Sequence, residues 1–177
     1  GPALHNDALT LNGLISATVT IKDGDDDTAT AKTEIGDQIS FLDDGPSVTA
    51  SASGAALVLN DESATSSVAA TINTGAIVKG DDPNVGGTGA ISTATSGTAV
   101  VTATPVYGAD GAAASNALTY ALAVTNATSG LTVTDGSAIN LVLDGNVIVG
   151  QVSGGAFAGQ AAFAIAIHPT TGVVTVE

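Results

Sequence analysis

The chain has 177 residues, with Lys+Arg 3 against Asp+Glu 17 and a formal net charge of −14. Nothing in it neutralises phosphates or anionic lipid, so nucleic-acid and membrane-surface binding are excluded as main functions. Zero Cys, zero Trp, zero Met and two His exclude disulfides, thiolate metal sites, a thiol nucleophile and multi-His zinc sites. A hydrophobic fraction of 44% with only 11% charged residues belongs to a chain that folds rather than to an acidic disordered tail.

The apolar residues are mostly Ala, Val, Ile and Leu, and aromatics make up only 3%. A core of small side chains buries little area per residue, so its margin over chain entropy is slim, and bound ions are the obvious source of extra stability. No run approaches the length of a membrane span, and no basic stretch followed by an apolar one marks a cleaved signal.

In chain order, Ile15, Ala17, Val19 and Ile21 alternate with Ser16, Thr18, Thr20 and Lys22, which predicts a strand with one buried face. At Phe41-Leu42-Asp43-Asp44-Gly45-Pro46-Ser47 a strand ends in two acids and a Gly-Pro pair that stops sheet pairing. This divides the chain into 1–45, closing strands and a linker, and 46–177, the body of a sandwich module. Asp61 to Ala70 leans towards helix at its acidic start but is rich in Ser, Thr and Val, so it reads as loop or one short turn. Leu118, Tyr120, Leu122 and Val124, and then Phe163, Ile165 and Ile167, alternate with small or polar residues and predict further strands. Ile139 to Val149 forms two β-rich runs around Asp144-Gly145, a hairpin with a two-residue turn. Many short strands with Asp-Gly punctuation predict an all-β, antiparallel β-sandwich of immunoglobulin-like type, with long Asp/Gly-rich loops and little helix.

The segments Asp23-Gly24-Asp25-Asp26-Asp27-Thr28-Ala29-Thr30 and Ile39-Ser40-Phe41-Leu42-Asp43-Asp44-Gly45-Pro46-Ser47 resemble the closing strands and linker of tandem Ig-like repeat modules in giant RTX adhesins exported by type I secretion. Tyr107-Gly108-Ala109-Asp110-Gly111, Leu118-Thr119-Tyr120-Ala121-Leu122, Gly130-Leu131, Val147-Ile148-Val149-Gly150, Ala162-Phe163-Ala164-Ile165 and Ile167 to Val176 continue in the order of that family's repeat. The resemblance implies an extracellular, cell-surface extender module that binds calcium at loops and linkers and has adjacent modules or neighbouring copies as partners. The phase is unusual, because the closing strands come first. Either residues 1–45 finish the preceding repeat and 46–177 form most of the next, or residues 1–42 pack onto 46–177 as one permuted domain or complete a neighbouring molecule by strand addition.

The strongest chemical signal is Asp23, Asp25, Asp26 and Asp27, four acids within five residues at a strand end. Calcium takes six to eight oxygen ligands, and closely spaced Asp side chains with backbone carbonyls supply them. A solvated acidic turn is the alternative. Asp43 and Asp44 form a second cluster, Asn60-Asp61-Glu62 a third, and Asp110 a weaker candidate; calcium bridging the linker to a loop would stiffen the joint between modules. Asp81-Asp82-Pro83-Asn84 is a candidate of the same rank as Asp110, and Asp135 and Asp144 read as turn formers. Ser and Thr are abundant, but a Ser nucleophile needs a base, and His168 sits before Pro169 at a strand end; two Tyr without Trp offer no platform for a sugar ring. The reading is of a non-enzymatic, calcium-stabilised structural module. A sugar- or peptide-binding adhesin domain and a fibre subunit that polymerises by strand exchange are the alternatives.

Overall fold

The computed structural model describes residues 8–42, 44–54, 58–61, 68–80 and 92–177. Among them are twelve strands, two short 3-10 turns and no α-helix, so the fold is all-β, antiparallel and sandwich-like as the sequence predicts. Two compact units divide the chain: Gly1–Thr49 with Thr104–Ala112, and Ala50–Ala103 with Ala113–Glu177. Residues 104–112, which the sequence places in the second module, thus belong to the first unit. β5 (Ser47–Ala52) pairs with β7 (Val101–Val106).

In the first unit, β1 (Ala8–Thr10) pairs with β4 (Ser40–Leu42), and β2 (Ser16–Lys22) pairs with β3 (Thr28–Glu34) in one uninterrupted register from Ser16↔Glu34 to Lys22↔Thr28. Side chains alternate across a strand, so one face of the ribbon carries Ala17, Val19 and Ile21 opposite Thr33, Ala31 and Ala29. The other carries Ser, Thr, Lys and Glu. The predicted strand is present, but its predicted burial is not: Val19 is 62% and Ile21 66% exposed. Alternation set the two faces, and among the described residues no second layer covers Val19 and Ile21 on the apolar one.

The second unit is built on a six-stranded sheet in the order β6 (Ala94–Ala99), β12 (Val173–Val176), β11 (Ala161–Ile167), β10 (Val147–Val152), β9 (Ala138–Asp144), β8 (Thr128–Thr132). Strands β8 to β12 follow one another as a meander. The β9–β10 hairpin is present with its turn one residue later than the sequence suggests. Val147 pairs with Asp144, leaving Gly145-Asn146 as the two-residue loop. Gly145 has φ 59° while Asn146 keeps φ negative, the pattern of a type II′ turn with glycine first.

Ile148 and Val149 are neighbours in β10, point to opposite faces, and are both buried. The sheet is therefore covered on both sides at its centre, where Val149 is fully inaccessible and is joined in the core by Val152, Ala164, Ile139, Val174 and Ile72. Gly150 lies against the ring of Phe163, where a Cβ would overlap it. Continuous rather than alternating hydrophobicity in Val147-Ile148-Val149 is what a two-sided strand requires.

The predicted strand over 118–124 is corrected by the structure. Leu118, Tyr120, Leu122 and Val124 are half-buried and the residues between them exposed, so the period-two burial is real, yet the segment joins no ladder. Tyr120 N–H instead donates to Pro169 O at 2.8 Å. Alternation reports which side chains face inwards, and says nothing of whether a neighbouring backbone is at hydrogen-bonding distance.

Candidate metal centre

The acidic turn is set by the end of the β2–β3 ladder. Asp23 N–H donates to Asp27 O at 2.9 Å, closing the last rung, and Asp26 N–H donates to Asp23 O at 3.3 Å. Asp26 itself adopts φ 75°, a left-handed conformation that Asp tolerates better than most residues. Asp23 Oδ1 accepts from the backbone N–H of Asp27 at 2.9 Å and of Asp25 at 3.3 Å. The turn thus gathers the side chains of Asp23, Asp25 and Asp27, whose carboxylate oxygens lie within 4.8 Å of one another, all solvent-exposed. Two oxygens on opposite sides of one calcium ion are about 5 Å apart at Ca–O distances of 2.3–2.6 Å, so this spacing suits a single cation. The Asp23 carboxyl is held below its ordinary range, first by its side-chain hydrogen bond with Asp25 and then, against a little burial, by the amides of Asp27 and Asp25.

Asp26 stands apart from this group. Its positive φ turns the carboxylate back to form an ion pair with Lys22. Asp44 Oδ2 accepts from Ala109 N–H at 3.1 Å, and Gly108, at φ 74°, lies so close that a Cβ would come 2.6 Å from Asp44 O. The linker acid and the loop carrying Asp110 are therefore joined inside the first unit, by a backbone amide donating to a single carboxylate rather than as a group of three carboxylates. Asp61 lies in the second unit, where the neighbouring Asn60 accepts from Ser92 Oγ at 2.8 Å. Asp43, Glu62 and the Asp81-Asp82-Pro83-Asn84 stretch lie outside the described residues. Among the described residues, Asp23, Asp25 and Asp27 form the one group of three or more potential metal-ligating side chains.

Two turn acids act as read from the sequence or close to it. Asp135 accepts from Ser137 N–H at 2.9 Å and Ala156 N–H at 3.2 Å, and hydrogen bonds from the Ser137 side chain, the Ser137 amide and the Ala156 amide keep its carboxyl below the usual range. Asp144 closes the β9–β10 ladder and packs against Gly75. His168 Nδ1 accepts from the amides of Thr170 and Thr171, both at 3.3 Å, which makes it a turn residue of the β11–β12 hairpin.

Residues 56–177 match the family described as Domain of unknown function (DUF5801). The chain belongs to this family. No curated protein and no solved structure matches it. The three-carboxylate turn lies N-terminal to the DUF5801 region, whereas the sheet, its core and Asp110 lie within it.

The DUF5801 region also contains a buried acid that sequence reasoning passed over. Glu177 Oε1 accepts from Thr71 N–H and Thr71 Oγ1, both at 2.5 Å, and from Ile72 N–H at 3.0 Å, while Oε2 lies 3.4 Å from Lys79 Nζ. Burial alone would raise its pKa, but the hydrogen bonds from Thr71 and Ile72 and the charge of Lys79 outweigh this and hold the carboxyl below its ordinary range. It pins residues 71–79 to the end of β12 within the second unit. The one sequence signal was a charged residue closing the apolar run Val173–Val176.

Proposed function

We propose that this chain is a calcium-stabilised structural extender module of a secreted bacterial cell-surface adhesin, supplying length and stiffness between the cell and an adhesive tip. The observation that supports this most directly is the Asp23, Asp25 and Asp27 group, three exposed carboxylates at single-ion spacing on a turn of a strongly acidic chain. Without a cation, ionised carboxylates at this separation repel one another and oppose closure of the turn. With calcium bound, the repulsion becomes coordination, and the β2–β3 ribbon is held at its open end.

The coupling to export follows from the same electrostatics. Extracellular calcium modules bind at roughly 10⁻⁴–10⁻³ M, so such a site is empty at cytosolic calcium and filled outside the cell. Calcium at about 5 mM, roughly 5 to 50 times such a Kd, adds about 1–2.3 kcal/mol per independent site, a sizeable share of the stability of a domain with a small-residue core. Binding also reduces the self-repulsion of a chain with net charge −14. The likeness of the ordered segments to RTX adhesin repeats supports the surface location and the partnership with adjacent modules.

Thermal unfolding in EDTA, in calcium and in magnesium tests the proposal. A calcium-specific rise in midpoint that is diminished by Asp25→Asn supports it. An identical midpoint in EDTA and in about 5 mM calcium, well above the affinity range of extracellular sites, overturns the calcium mechanism.

A further inference from the structure

The β2–β3 ribbon differs from the sheet of the second unit in one respect that bears on association. Both edges of the six-stranded sheet are interrupted. β6 carries Gly97 at φ 67° and a register shift against β12, and β8 carries Gly130 at φ 76° and a register shift against β9. Such bulged edges are poor templates for another strand. The β2–β3 ribbon has seven consecutive pairs and no shift, and its outer edges are unpaired among the described residues.

The direction of the backbone groups on β2 follows from its end rungs. Asp23 N–H donates to Asp27 O, and Ile35 N–H donates to Ile15 O, so odd-numbered residues of β2 face β3 and the N–H and C=O groups of Ser16, Thr18, Thr20 and Lys22 face outwards. The odd residues place the exposed Val19 and Ile21, with the half-buried Ala17, on the apolar face. An open edge and an uncovered apolar face therefore share one strand.

We propose that β2 is a self-pairing edge, and that a second copy of this chain adds antiparallel to it about a two-fold axis through Val19, giving the sheet β3-β2-β2-β3. This register pairs Ser16 with Lys22 and Thr18 with Thr20 of the other copy, so each outward-facing backbone group meets another. On the apolar face Ile21 lies beside the other copy's Ala17, large against small, and Val19 beside Val19. Charge selects the same orientation. An antiparallel pair sets the two Asp23–Asp27 turns at opposite ends of the sheet, whereas a parallel pair would place eight carboxylates side by side. It also brings each Lys22 to the end of the ribbon that carries the other copy's Glu34. The contact is small beside the roughly 800 Å² per partner of stable complexes, and two copies of net charge −14 repel, so the dimer is transient and salt-promoted.

The chain has no cysteine, so a single introduced one reports the contact. In the proposed sheet the two Val19 Cα atoms form a non-hydrogen-bonded pair about 4.5 Å apart, within disulfide reach. The two Ala31 positions, on the same face, are three strand spacings or about 14 Å apart. Oxidation of Val19→Cys in calcium and about 0.5 M salt, where the Debye length is roughly 4 Å, is expected to give disulfide-linked dimer at least ~10-fold faster than Ala31→Cys. Adding Thr18→Pro to Val19→Cys removes an outward-facing N–H without touching a β2–β3 bond, and is expected to abolish the advantage while circular dichroism stays unchanged. Equal rates at the two cysteine positions overturn the proposal, as does an advantage that survives Thr18→Pro in a folded protein. If Thr18→Pro does not fold, the comparison of Val19→Cys with Ala31→Cys decides alone. The readout is position dependence in one buffer rather than a calcium shift, so it stands or falls separately from the calcium mechanism.

Discussion

Replacing Glu177 with Ala removes a buried acceptor. Its side chain is 3% exposed, and its carboxylate takes both the amide and hydroxyl of Thr71 and the amide of Ile72, with Lys79 alongside. Truncation leaves a buried Ile72 amide and a half-buried Lys79 without their partner. Breaking a buried pair by deleting one member costs about 3–5 kcal/mol, and at roughly 2–4 °C per kcal/mol for a chain of this size the midpoint falls by roughly 6–20 °C. Glu177→Gln keeps the shape and one acceptor oxygen but replaces charge-assisted bonds with neutral ones, and should cost about 1–2 kcal/mol. The pH dependence separates the two effects. The folded-state pKa of Glu177 is lowered, so its contribution is complete above the unfolded value, near 4.5, and is lost as pH falls through the folded value. Urea unfolding of wild type and Glu177→Gln from pH 7 to pH 3 should show the stability difference shrinking below about pH 4.5. A difference that is constant with pH, or a Glu177→Ala protein within about 0.5 kcal/mol of wild type, would refute the assignment of Glu177 as an ionised anchor.

Gly150→Ala puts a Cβ into the Phe163 ring at a position covered on both faces, and chemical denaturation should show a loss of about 1–3 kcal/mol from overpacking. Gly145→Val forces a β-branched residue into φ 59° at the first position of a type II′ turn; a loss of at least ~1 kcal/mol is expected in the same assay, and an unchanged midpoint would contradict the turn geometry. Asp27→Asn should shrink the calcium-induced rise in melting temperature, whereas Asp26→Asn, whose carboxylate is paired with Lys22, should leave it intact; equal effects of the two would contradict the three-carboxylate site.

The sequence by itself determined the all-β class, the strands at 16–22 and 161–167, the β9–β10 hairpin to within one residue of its turn, and the crowding of acids after Lys22. Each of these rests on local chemistry: side-chain alternation, glycine's access to positive φ, and the spacing of Asp along a few residues. Tertiary structure decided what depends on a neighbour distant in sequence. Leu118 to Val124 alternates like a strand, but whether it is one depends on a second backbone alongside, and Tyr120 bonds to Pro169 instead. Val19 and Ile21 alternate like core residues, but no layer of the described residues covers them. Which acids converge was likewise settled by backbone direction, since the positive φ of Asp26 sends one of four adjacent carboxylates to Lys22 and leaves three together. Glu177 was invisible for the same reason: its partners are 98 to 106 residues away in the chain, and no local pattern records a contact of that range.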